Sequence, residues 1–165
     1  MSLNELITVA AVDEQGVAID ADRWCRLATA VLIDEGLNEP AELMLWFVDE
    51  DEIAELNEEH LGESGPTDVL SFPLDRPGEE PPIPDVPLLL GDVFVCPAVA
   101  ARNAPDHPGT HLPIHQGSLE DELALLIVHG VLHILGYDHA EPDETEVMQA
   151  RERTLLSQHY KAGTS

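Results

Sequence analysis

Apolar and polar positions along the chain fall into short alternating blocks, followed by one long apolar run. Leu6–Asp13, "LITVAAVD", is rich in β-branched and small apolar residues and predicts a strand. From Ile19 to Glu35 the apolar positions Trp24, Leu27, Ala28, Val31 and Leu32 recur at helical spacing, with Asp20 or Asp22 as a cap and Gly36 as a stop. Ala41–Asp49 reads as a second strand. Asp49 then caps an acidic helix, "EDEIAELNEEHL", with Glu52 at the capping-box position. Thr67–Pro73 predicts a third strand, and Leu88–Pro97 a fourth with a bulge at Gly91. Between them Leu74–Pro87 is too rich in proline for regular structure. A helical turn and a second loop lead to Ser118, which opens the long apolar helix with Asp121 three residues on; Gly136 stops it. Asp143–Tyr160 closes the chain as an amphipathic helix. Strands and helices alternate irregularly, which predicts a single domain over residues 1–165, α+β or an α/β sandwich on a mixed sheet of about four strands.

The long helix carries the chemistry. In "VHGVLHILGYDH" three histidines fall within eleven residues, at 129, 133 and 139. His129 and His133 share a helical face, and their neighbours Leu125 to Val128, Val131, Leu132, Ile134 and Leu135 are apolar on every side, as in a helix buried all round. A buried imidazole needs hydrogen-bond partners or a metal, because an unpaired buried polar group costs about 1–3 kcal/mol. Gly136 lets the chain fold back and carry His139 toward the other two. Three neutral imidazoles plus water form the open tetrahedral site of a catalytic zinc. The spacing is that of the metzincin ligand set, but Gly130 stands where those peptidases keep their general-base glutamate. Peptide hydrolysis thereby becomes a minor reading.

Charge and cysteines narrow the class. The chain has 165 residues, 33 Asp and Glu against 7 Lys and Arg, and a formal charge of −26. Such a balance predicts a heavily solvated acidic surface or a face for a basic partner, and it argues against a sequence-independent phosphate grip. Cys25 and Cys96 lack metal-ligand spacing, no window suits a membrane span, and "MSLNELITVAAVDE" lacks the features of a secretory leader. A cytoplasmic protein with reduced thiols is expected. His107, His111 and His115 hint at a second metal site, but Pro108 and Pro113 break any helix that would align them, so solvated loop histidines are expected.

"HGVLHILGYDH" resembles the H-G-x-L-H-x-x-G-Y-D-H signature of the YbeY family of metal-dependent endoribonucleases. "LNEEHLGESGPTDVLSFPLD" is similar to that family's second block, and "LLLGDVFVCPAVAARNA" to its next strand and helix. These blocks run in order from Leu56 to His139. The resemblance implies a zincin-like α+β domain with a central buried ligand helix and one zinc ion on His129, His133 and His139. It implies cleavage of single-stranded RNA near the 3′ end of 16S rRNA in small-subunit maturation and ribosome quality control. The partners implied are the small subunit, one of its ribosomal proteins and the GTPase Era, with no membrane and no DNA. Carried over by position, Thr67, Asp68 and Ser71 would line the cleft, and Asp138 would orient a ligand or accept a proton. Leu61 occupies the place of an arginine that many members carry, leaving its phosphate-binding role to Arg76 or Arg102. A zinc hydrolase of another substrate, and a zinc-stabilised docking module without catalysis, are the alternative readings.

Overall fold

The first regular element is a short helix, α1 (Leu3–Leu6), in a computed structural model that describes residues 3–77, 86–106, 117–138 and 140–160. Strand β1 (Ile7–Glu14) follows and leads into α2 (Ala21–Asp34). The Asp20 carboxylate caps α2 by accepting from the Arg23 amide, and the helix stops at Gly36. Strand β2 (Ala41–Val48) has nearly continuous apolar sequence because it is an interior strand with parallel neighbours on both sides. Asp49 caps α3 (Glu50–Leu61) by accepting from the Glu52 amide at 2.9 Å, as the capping-box pattern predicts.

Strand β3 (Val69–Pro73) starts two residues later than the sequence pattern suggests, because Thr67 and Asp68 lie before the ladder and only the Asp68 carbonyl accepts from Cys96. Strand β4 (Leu88–Val95) leads into α4 (Pro97–Asn103) and a 3-10 turn, Ala104–Asp106. The register slips next to Gly91, where Glu42 pairs Leu89 and Leu43 pairs Gly91, which is the bulge expected there. The sheet order is β1-β2-β4-β3, with β1, β2 and β4 parallel and β3 an antiparallel edge. The mixed α+β expectation stands.

Helix α5 (Leu119–Ile134) is apolar all round because elements surround it: it packs on α2, α4, α6, β3 and β4. Ser118 accepts from the Asp121 amide at 3.0 Å to start it. At its far end the Gly136 amide donates to the His133 carbonyl and the Tyr137 amide to the Leu132 carbonyl, the paired bonds of a Schellman stop. Gly136 has φ +104°, which an L side chain rarely adopts. Helix α6 (Pro142–His159) closes the layer over α5 and α2 with Met148, Glu152, Leu155 and Leu156 inward. No helix among the described residues is long and apolar enough to cross a membrane.

Candidate active site

His129 and His133 stand on one face of α5, one turn apart, where the helix passes the edge strand β3. Their rings meet at 80°, centroids 4.6 Å apart, and the two Nε2 atoms are 3.1 Å from one another. Each ring is held from behind. His129 Nδ1 lies 2.6 Å from Glu152 Oε2, and His133 Nδ1 lies 2.9 Å from the Tyr137 carbonyl. A carbonyl can only accept, so His133 carries its proton on Nδ1, and an ionised Glu152 assigns the same tautomer to His129. Both Nε2 lone pairs then converge on one point, where they repel unless a cation lies between them. Two nitrogens bound tetrahedrally at zinc distances are about 3.3 Å apart. The donor set and its spacing therefore fit a metal ion, and the buried acceptors behind it are those that orient metal-ligating histidines.

His139, the third expected ligand, lies outside the described residues, as do His107, His111 and His115. Among the described residues no group of three or more His, Cys, Asp or Glu is arranged to hold a metal ion. The pair on α5 is the part of the expected triad that the described residues contain.

The two rings open into a cleft of about 450 Å³ that wraps the free edge of β3. Ser71, Phe72, Leu61 and Asp138 line it with the histidines. Ser71 is turned to the helix side, and its hydroxyl donates to the Gly130 carbonyl at 3.2 Å, pinning α5 to β3. Phe72 alternates to the other face, where it meets Phe94 edge-on at 5.6 Å and His60 at 5.1 Å. Leu61 is 57% exposed at the cleft mouth. Asp138 is exposed on the turn after Gly136. Apart from the histidines, no basic side chain is among the described residues lining this cleft.

The other residues singled out in the sequence are placed elsewhere. Thr67 and Asp68 precede β3, with the Thr67 hydroxyl 3.5 Å from the Asp68 carboxylate. Arg76 lines a separate cavity with Glu35, Glu39 and Tyr137. Arg102 pairs with Glu50 at 2.6 Å, an exposed ion pair that holds the Glu50 carboxyl below its usual range. A separate groove of about 1000 Å³ beside β1 and α2 contains none of these residues.

Gly130 has a physical explanation in this packing. A Cβ there would sit 2.7 Å from Val93 Cγ1 and 3.2 Å from Ser71 Oγ, so the helix can approach the sheet only without a side chain. The position that holds the base in a metzincin faces the sheet here rather than solvent.

Sequence reasoning missed the supports. Glu152 reads as a surface acid in a charged helix, yet it is 3% exposed. Its signal was its phase: Met148, Glu152, Leu155 and Leu156 share the buried face of α6. Behind Tyr137 stands Glu35, which accepts the phenol O–H through Oε1 at 2.5 Å and the Arg151 Nε–H through Oε2 at 2.7 Å. Burial, and then the Glu35 carboxylate, push the Tyr137 phenol up, so it stays a donor.

The family described as "Endoribonuclease YbeY" matches residues 9–160. A protein of that name from Salinispora tropica is 43% identical over 158 residues, covering 92% of this chain and 95% of its own. Another, from Acidothermus cellulolyticus, is 47% identical over 156 residues, covering 92% and 90%. The solution structure of TM1509 from Thermotoga maritima is similar with a TM-score of 0.54 and 26% identity, covering 92% of this chain and 90% of that one.

Proposed function

The chain belongs to the endoribonuclease YbeY family, and from that premise we propose that His129, His133 and His139 hold one zinc ion beside which single-stranded RNA is cut. It is an endoribonuclease, and so a hydrolase. The observation that carries the metal reading is the convergence of the two Nε2 atoms at 3.1 Å with both Nδ1 atoms already engaged. Zinc held by these residues would supply Lewis acidity toward a phosphoryl oxygen.

The chain's own residues supply the rest. Leu61 at the cleft mouth and Phe72 around the free edge of β3 offer apolar surface to a splayed base, which suits a single strand. Asp138, which lines the cleft, accepts the proton in this reading. Ser71 acts on the site through Gly130, by fixing the ligand helix against β3. Thr67 and Asp68, just ahead of β3, would extend the substrate path beyond the cleft. Arg102 is paired with Glu50 and Arg76 lines a separate cavity, so in this reading phosphate contacts fall to a partner. The substrate we propose is the 3′ region of 16S rRNA within the small subunit, in the cytoplasm, with a basic ribosomal protein and the GTPase Era as partners. Gly130, packed against Val93, leaves no side chain for the base of peptide hydrolysis, which speaks against the peptidase alternative.

Purified wild type and His133→Ala are to be compared for zinc content and for cleavage of precursor 16S rRNA, free and on ribosomes. Wild type should carry one zinc per chain and cut best on ribosomes, and the variant should lose both properties. Full zinc retention in His133→Ala would overturn the ligand assignment. Zinc-loaded wild type that cuts nothing even on ribosomes would leave docking as the function.

A further inference from the structure

We propose that Arg151 and Glu152, adjacent residues on α6, form a positioning pair that sets both histidines at once, Glu152 directly and Arg151 through Glu35 and Tyr137. The inference rests on the reading of His129 and His133 as metal ligands. Glu152 is buried and touches His129 Nδ1 at 2.6 Å. One residue earlier, Arg151 donates to Glu35 Oε2 from Nε at 2.7 Å and from Nη2 as well. The other oxygen of Glu35 accepts the Tyr137 hydroxyl at 2.5 Å. The carbonyl of the same Tyr137 accepts from His133 Nδ1 at 2.9 Å. A continuous chain of bonds therefore runs from α6 to each ring.

The geometry explains why both links are needed. Glu35 sits at the C-cap of α2 and Tyr137 just past the Schellman stop of α5, so the chain ties two helix ends together. The Glu35 side chain is only 9% exposed, and the Arg151 guanidinium compensates its charge. Without that compensation the carboxylate is drawn toward solvent, the phenol loses its acceptor, and the Tyr137 carbonyl is no longer fixed beneath His133. A ligand whose Nδ1 acceptor drifts binds its metal more weakly, typically by about 10–100-fold when the acceptor is lost outright.

The test uses the full chain with zinc as the probe. Zinc affinity is measured by competition with a chromophoric chelator for wild type, Glu152→Gln, Arg151→Met, Arg151→Lys and Glu35→Gln, and the stability of each chelator-stripped protein by urea unfolding. Glu152→Gln should weaken zinc by at least about 10-fold. Arg151→Met should weaken it several-fold, with Arg151→Lys recovering part of the loss. Two links of one chain are not additive, so Arg151→Met with Glu35→Gln should cost little more than either alone. Arg151→Met with Glu152→Gln should cost more than either alone, because they act on different rings. Unchanged zinc affinity in variants that merely unfold earlier would overturn the inference and leave the ligand reading intact. Wild type that takes up no zinc would overturn both.

Discussion

Gly130 is where the substitution of one residue separates the competing chemistries. Its place in the helix is set by contact with Val93, a buried β-branched side chain that cannot swing away. Gly130→Ala should therefore destabilise the fold by about 1–3 kcal/mol through overpacking, read as a lowered urea midpoint at unchanged slope. A variant as stable as wild type would mean that α5 can move off the sheet. At this scale the sequence was legible where spacing is local. Four residues on a helix set the His129–His133 geometry without help from the rest of the chain. Glu152 was not legible, because its partner lies 23 residues away and depends on how α6 docks. Arg151 was harder still, since its effect passes through Glu35, 116 residues distant.

Among the elements, caps and apolar patterning located α2, α3 and α5 to within a residue or two, since each cap is a bond within one turn. The strand order was not legible. Placing β4 between β2 and β3 depends on the bulge at Gly91 and on packing against α5, both long-range. The docking of α6 is also long-range, and it ends in a bond from the Tyr160 hydroxyl to Asp121 Oδ1 at 2.5 Å. Burial, and then Asp121, push the Tyr160 phenol well above its usual value. The sign follows directly. The folded state holds this proton at pH values where an unfolded tyrosine has released it. Its contribution is whole below about pH 10 and is lost as the pH rises beyond that. Tyr160→Phe should cost about 1–2 kcal/mol at pH 8. The gap from wild type should narrow when urea unfolding is repeated at pH 11, and a gap that widens would contradict the assignment.

For the whole molecule, charge dominates. With −26 formal charges, repulsion is long-range and screened by salt, so unfolding midpoints should rise between 20 and 500 mM sodium chloride. Binding of a bare single-stranded RNA oligonucleotide should be weak and should not fall steeply over the same range, unlike a protein that grips phosphates with lysine and arginine. A steep negative dependence on salt, measured by fluorescence anisotropy, would contradict a cleft whose described lining holds no lysine or arginine. Recognition by stacking, and by partners that bring their own positive charge, is what this composition permits. The extreme acidity was plain in the sequence. Which cations were already committed was not, because Arg102 and Arg151 find their carboxylates only in the fold.

The arrangement behind the two histidines also fixes an order of events. A ribosome making this chain adds His129 and His133 before Arg151 and Glu152, so α5 is made before the residues that back its rings. The rings gain their backing only when α6 arrives. A nascent chain is thus without its finished cutting site while it is still attached to the kind of particle whose RNA it is proposed to cut.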